Sequence, residues 1–181
     1  MKKFAVALDL NGSIRVTAES AWLKLKEKYN INFISSRSQC PHIALSAGTL
    51  EKKERLLSYL EARSKDYKSF PIKANGLGIF LRETPVIYIR WHNSMLLNNF
   101  YQSLHQDLCS NIWTKSSQNT SLYNWLPKSS LAYCDSSYDN LGEVVALLRS
   151  FTFDSAMLAN TLTILELKKN EELPIASIRF G

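Results

Sequence analysis

A chain of 181 residues, 45% hydrophobic and 21% charged, is long enough to bury a sizeable core and too apolar to be a disordered segment. No apolar run reaches the length needed to cross a bilayer, and three cysteines without paired spacing (Cys40, Cys109, Cys134) argue against a disulfide framework or a zinc site. The net charge of +6 is uneven. Residues 1–85 hold 15 Lys and Arg against 8 Asp and Glu, while residues 86–181 hold 7 against 8. A basic half favours a phosphate-bearing partner, although such lysines also serve as ordinary solvated helix surface.

Phe4 to Leu10 is predicted as a strand closed by the turn pair Asn11-Gly12. The apolar stretch from Phe4 to Leu8 stops too soon, at Asp9, for a secretory signal, so a cytoplasmic protein is expected. From Thr17, a plausible N-cap, to Tyr29, the residues Ala18, Ala21, Trp22 and Leu25 recur at helical spacing. A polar loop, Ser35 to Gln39, leads into the strand Pro41-His42-Ile43-Ala44-Leu45-Ser46-Ala47-Gly48. Thr49 then caps a helix running to about Lys65, with Leu56, Leu57 and Leu60 inward. Phe70 to Leu81 reads as a strand in which Gly76 and Gly78 allow a bulge.

Pro85 to Trp91 is the next strand. Asn93 would cap a helix carrying Leu97, Phe100, Tyr101, Leu104 and Leu108, with His105 partly buried at the border of that stripe. Thr114 to Asn124 is polar and is expected to be a mobile loop. A second strand opened by proline follows, Pro127-Lys128-Ser129-Ser130-Leu131-Ala132-Tyr133. After it come a helix opened by Asn140 and Glu143, a β-rich run from Leu158 to Leu167 and a closing strand from Ile175 to Phe180. Residues 4–82 and 86–167 match in order: strand, helix, proline-led strand, helix, strand. The expectation is therefore one bilobal α+β domain over 1–181, with two pseudo-symmetric lobes, each a mostly antiparallel sheet with two helices, and a cleft between them.

Side chains alternate along a strand, so His42, Ala44 and Ser46 are expected on one face and Ile43 and Leu45 on the other. The same rule groups Lys128, Ser130 and Ala132, with Leu131 and Tyr133 turned to the core. If the two strands adjoin, a histidine, a lysine and a hydroxyl converge.

The segments His42-Ile43-Ala44-Leu45 and Lys128-Ser129-Ser130-Leu131, framed by Phe4-Ala5-Val6-Ala7-Leu8, Pro41, Trp125-Leu126-Pro127 and Leu131-Ala132-Tyr133, resemble a pair of His-x-Thr/Ser-apolar motifs. Such a pair belongs to the 2H phosphoesterase superfamily, in particular its 2'-5' RNA ligase and RNA 2',3'-cyclic phosphodiesterase branch. The resemblance implies acid–base chemistry on a phosphate without metal or other cofactor, with one histidine as base, the other as acid and two hydroxyls on the phosphate. Two of those four groups are replaced: Ala44 stands at the first hydroxyl position and Lys128 at the second histidine position.

Three readings stay open. A degenerate member would bind a nucleotide or an RNA with a terminal or cyclic phosphate through His42, Lys128 and Ser130, with Arg37 and Trp125 as further contacts. An active cyclic phosphodiesterase would use His42 as base, Lys128 as acid and Ser130 to position the phosphate. A vestigial cleft would leave a protein-interaction scaffold. A monomer is expected. Histidine suits either protonation role near neutrality, whereas lysine is ordinarily charged there.

Overall fold

The computed structural model describes residues 1–181. Nine strands form in chain order: β1 (Lys2–Asp9), β2 (His42–Leu50), β3 (Phe70–Phe80), β4 (Val86–Trp91), β5 (Lys115–Ser116), β6 (Lys128–Ala132), β7 (Ala156–Ala159), β8 (Thr161–Leu167) and β9 (Glu172–Arg179). Five α-helices lie between them: α1 (Gly12–Tyr29), α2 (Phe33–Arg37), α3 (Lys53–Ser64), α4 (Met95–Asn111) and α5 (Leu141–Leu148). The strands make two sheets, ordered β5-β2-β1-β8-β9 and β6-β4-β3-β7, and every pairing between strands is antiparallel. The expected α+β architecture of two antiparallel sheets is the observed one. No helix is long and apolar enough to cross a membrane.

The two sheets draw on both halves of the chain. β3, from the first half, pairs with β4; β8, from the second, pairs with β1. The proline-led strands β2 and β6 thereby occupy equivalent places, each beside the first strand of its own half. The helices follow the same exchange: α1 packs on β6 and β7, and α4 on β2 and β3. One continuous cluster of 38 buried apolar residues, from Phe4, Val6 and Leu8 on β1 to Ile87, Ile89 and Trp91 on β4, joins the sheets. The two sheets therefore share one main core.

Several local features differ from the sequence reading. Helix α1 begins at Gly12 rather than Thr17, and the Asn11 side chain before it donates to the Leu158 carbonyl (2.9 Å). Ser94, not Asn93, caps α4, accepting from the Leu97 amide. The run expected from Leu158 to Leu167 is broken at Asn160 into β7 and β8, which belong to different sheets. The Thr114–Asn124 segment is fixed: β5 pairs with β2, and Thr120 is buried, its hydroxyl accepting the Ala47 amide and its carbonyl accepting the Tyr101 hydroxyl. In β3, Gly76 takes a φ of +73° beside the register shift between Ala74 and Leu77, a conformation that suits glycine.

His105 is buried, not at the border of its helix. Ser46 Oγ accepts the Trp113 indole N–H (2.8 Å) and lies within hydrogen-bond distance of His105 Nδ1 (3.0 Å). His105 Nε2 lies 3.4 Å from the Cys109 sulfur, so a neutral ring can be satisfied at both nitrogens. Burial lowers its pKa from the ordinary 6.5. The unfolded chain therefore takes up a proton at His105 before the folded one does. This contribution to stability is whole above pH 6.5 and is lost as pH falls toward the folded value. The urea midpoint is expected to drop between about pH 7 and pH 5, and less so in His105→Gln, in denaturation curves read by tryptophan fluorescence.

Candidate functional site

Two β-bulges in equivalent places build the site. Along β1 and β2 the register runs Asp9↔His42, Leu8↔Ile43 and Ala7↔Ala44, then skips to Val6↔Ser46, leaving Leu45 without a partner. Along β4 and β6 it runs Arg90↔Lys128, Ile89↔Ser129 and Tyr88↔Ser130, then skips to Ile87↔Ala132, leaving Leu131 without one. An extra residue reverses the alternation beyond it. Ser46, expected beside His42, therefore points into the core toward His105, and Ala132, expected beside Lys128, is likewise buried. Tyr133, expected in the core, turns out to the cleft, 40% exposed, with its ring edge-on to Phe33.

Before each bulge the alternation holds. His42 and Ala44 from β2, with Lys128 and Ser130 from β6, line one cleft of about 730 Å³ between the sheets. Indole N–H groups fix the strands in matched positions: Trp125 donates to the Ala44 carbonyl (2.8 Å) and Trp22 to the Ser130 carbonyl (3.3 Å). Trp125 also stacks on Tyr101, centroids 3.8 Å apart and planes within 7°, and lines the cleft beside Asn124 and Leu126.

His42 is oriented from behind. Its Nδ1 lies 3.1 Å from the Cys40 carbonyl oxygen, which can only accept, so Nδ1 carries a proton and, whenever the ring is neutral, the lone pair is on Nε2. Ser38 shares that carbonyl, donating from Oγ at 3.0 Å. Glu172, at the start of β9, brings a carboxylate oxygen to 4.0 Å from Nε2. Lys128 reaches toward the Ser130 hydroxyl at 3.5 Å. Burial, and next the charge of Arg82, push the Lys128 pKa below its usual value, while Glu172 pulls it back up.

Of the residues singled out from sequence, His42, Lys128, Ser130 and Trp125 share the cleft. Arg37 stands outside its lining, with its guanidinium 4.9 Å over the Phe33 ring. Glu172, Arg82 and Ser38 line the site and escaped the sequence reading. Glu172 reaches it through β9 pairing and the bridge to Ser38, which no local motif announces. Arg82 lies in the turn between β3 and β4, where a charged residue reads as surface. Helix α2, expected as part of a loop, is held at the cleft by the Asp135 carboxylate, which accepts the Asn32 and Phe33 amides.

Cys40 lies behind His42 with its thiol donating to Asp9 (3.5 Å), whose other carboxylate oxygen accepts from Thr163 (2.6 Å). Burial, with the Asp9 charge adding to it, pushes that thiol up to about 12. It is therefore a poor nucleophile. Titration of the folded protein with a thiol reagent near neutral pH is expected to label exposed Cys134 first and to leave Cys40 unmodified until denaturant is added.

Compared by sequence, the chain matches no protein-family model and no curated protein. Compared by structure, it is similar to a crystal structure described as a phosphoesterase (11% identity, 100% of this chain and 99% of that one, TM-score 0.63). It is also similar to LigT of E. coli solved with 3'-AMP (13% identity, 99% and 98%, TM-score 0.64). A third is a Thermus thermophilus protein, TT0787 (14% identity, 98% and 97%, TM-score 0.64). Identities this low carry the fold and not the activity. Over its whole length the chain has the two-lobed α+β fold of LigT, the fold that the resemblance to the 2H phosphoesterases implies.

Proposed function

We propose that the cleft binds the phosphate of a nucleotide or of an RNA end through Lys128, Ser130 and His42, and turns it over weakly or not at all. The observation that carries this reading is the meeting of these three side chains, from two distant segments, in one cleft. An ammonium and a hydroxyl are each phosphate ligands, Arg82 adds a further cation, and His42 Nε2 can accept from a hydroxyl of the ligand or, once protonated, donate to the phosphate. One face of Trp125 is covered by Tyr101, and its place in the lining suits it to stack on a base. In E. coli LigT, which is similar in fold, crystal structures hold 3'-AMP and ATP. Weak turnover follows from Ala44, which has no hydroxyl for the phosphate, and from an ammonium where an imidazole acid is expected.

Retained catalysis is a second reading, favoured by the lone pair on His42 Nε2 and by the lowered pKa of Lys128. Nε2 would take a proton from water as its oxygen bonds to phosphorus of a 2',3'-cyclic phosphate. The bond from phosphorus to one ribose oxygen would break, and Lys128 would hand that oxygen a proton. The distinguishing experiment measures calorimetric binding and hydrolysis of 2',3'-cyclic nucleotides, and of short RNAs with a cyclic end, by wild type, His42→Ala and Lys128→Ala. Binding is expected to weaken by about tenfold or more in Lys128→Ala, with little turnover in any form. Turnover in wild type that both substitutions abolish establishes the enzyme instead. No binding and no turnover leaves the scaffold reading.

A further inference from the structure

We infer that Glu172 makes the cleft a charge filter that accepts a singly charged phosphodiester and rejects a doubly charged phosphomonoester. The inference rests on the reading that the cleft binds phosphate, and it names which phosphates.

Glu172 is an acidic residue in an otherwise cationic site. Register with Leu167 and a parallel bridge to Ser38 place it at the start of β9, where its side chain lines the cleft and is 27% exposed. Its carboxylate has no ion pair closer than the 4.0 Å separation from His42 Nε2, and no hydrogen-bond donor reaches it. Its charge is thus left to act on whatever enters. The charge-bearing groups of the lining are Lys128, Arg82, Glu172 and His42, with Tyr133 neutral near pH 7. At the alkaline pH of the test below an imidazole carries no charge, so two cations stand against one anion, a surplus of a single positive charge.

A phosphodiester brings one negative charge and is matched. A phosphomonoester brings about 1.5 to 2 at neutral pH. Its second charge has no free cation to meet, and it lies among groups that Glu172 repels it from. In a cleft partly shielded from water, charges this close are screened less than on an open surface. Like charges set against one another are a common device for rejecting a wrong partner. A cationic site meant for any phosphate has no use for this carboxylate.

The test compares adenosine 3'-monophosphate with its methyl ester, a pair that shares base and sugar and differs by one charge. Dissociation constants are measured by calorimetry at about pH 8, where the monoester is dianionic, and at low salt. Wild type is expected to prefer the ester by on the order of tenfold. Glu172→Gln is expected to bring the ratio close to one by tightening the monoester, and Glu172→Asp, which keeps the charge, to retain the preference. An unchanged ratio in Glu172→Gln, or an equal weakening of both ligands, overturns the charge filter while leaving phosphate binding in place. If wild type binds neither ligand nor 2',3'-cyclic AMP, the phosphate reading fails and the filter fails with it.

Discussion

Antiparallel registry between each proline-led strand and its neighbour, interrupted once by a bulge, is the constraint on which the site depends. Up to Ala44 and Ser130, side chains alternate between cleft and core; one residue later, at Leu45 and Leu131, the phase reverses. Without the reversal Ser46 would stand in the cleft, and the buried hydroxyl shared by Trp113 and His105 would be missing. With it, the cleft ends where the core begins. A bulge stores little strain but redirects every side chain beyond it, so two such defects suffice to give each lobe a short polar edge on an apolar strand.

The exchange of β3 and β8 between the sheets holds those edges opposite one another. Each sheet is completed by a strand from the other half of the chain, and α1 and α4 pack across the same divide. The lobes share one apolar core and cannot separate without exposing it. The indoles of Trp22 and Trp125, each bonded to the carbonyl that precedes a bulge, tie the strands to segments remote in sequence. A ligand in such a cleft meets groups already in place, which reduces the ordering it must impose on binding.

The electrostatics of the cleft are a balance among few groups. Lys128 loses solvation by burial and feels Arg82, and Glu172 partly restores the charge that both oppose. Cys40, by contrast, is tied down by Asp9 and pushed out of the reactive range, which makes it a support for the His42 ring, through its carbonyl, and not a rival nucleophile. The chemistry that the site can perform is bounded by this: an imidazole with one free nitrogen, a partly buried ammonium and a single hydroxyl.

Periodicity and residue type were enough to read most of the fold. The period-two runs, the apolar stripes of α1, α3 and α4, and the repeated order of elements gave an α+β chain of two antiparallel sheets, and the resemblance of the two motifs paired His42 with Lys128 and Ser130. These signals are local, or are two local signals that match. The sequence did not reveal the phase reversal at Leu45 and Leu131, since a bulge depends on what the partner strand leaves unpaired. Nor did it reveal the burial of His105, which needs Ser46 turned inward from a strand 59 residues away. Pattern and composition therefore determined which strands and helices form and which residues were candidates. Tertiary structure alone decided that Glu172 and Arg82 join them, because electrostatic neighbours are set by distance in space, and β9 reaches His42 only after the whole first sheet has assembled.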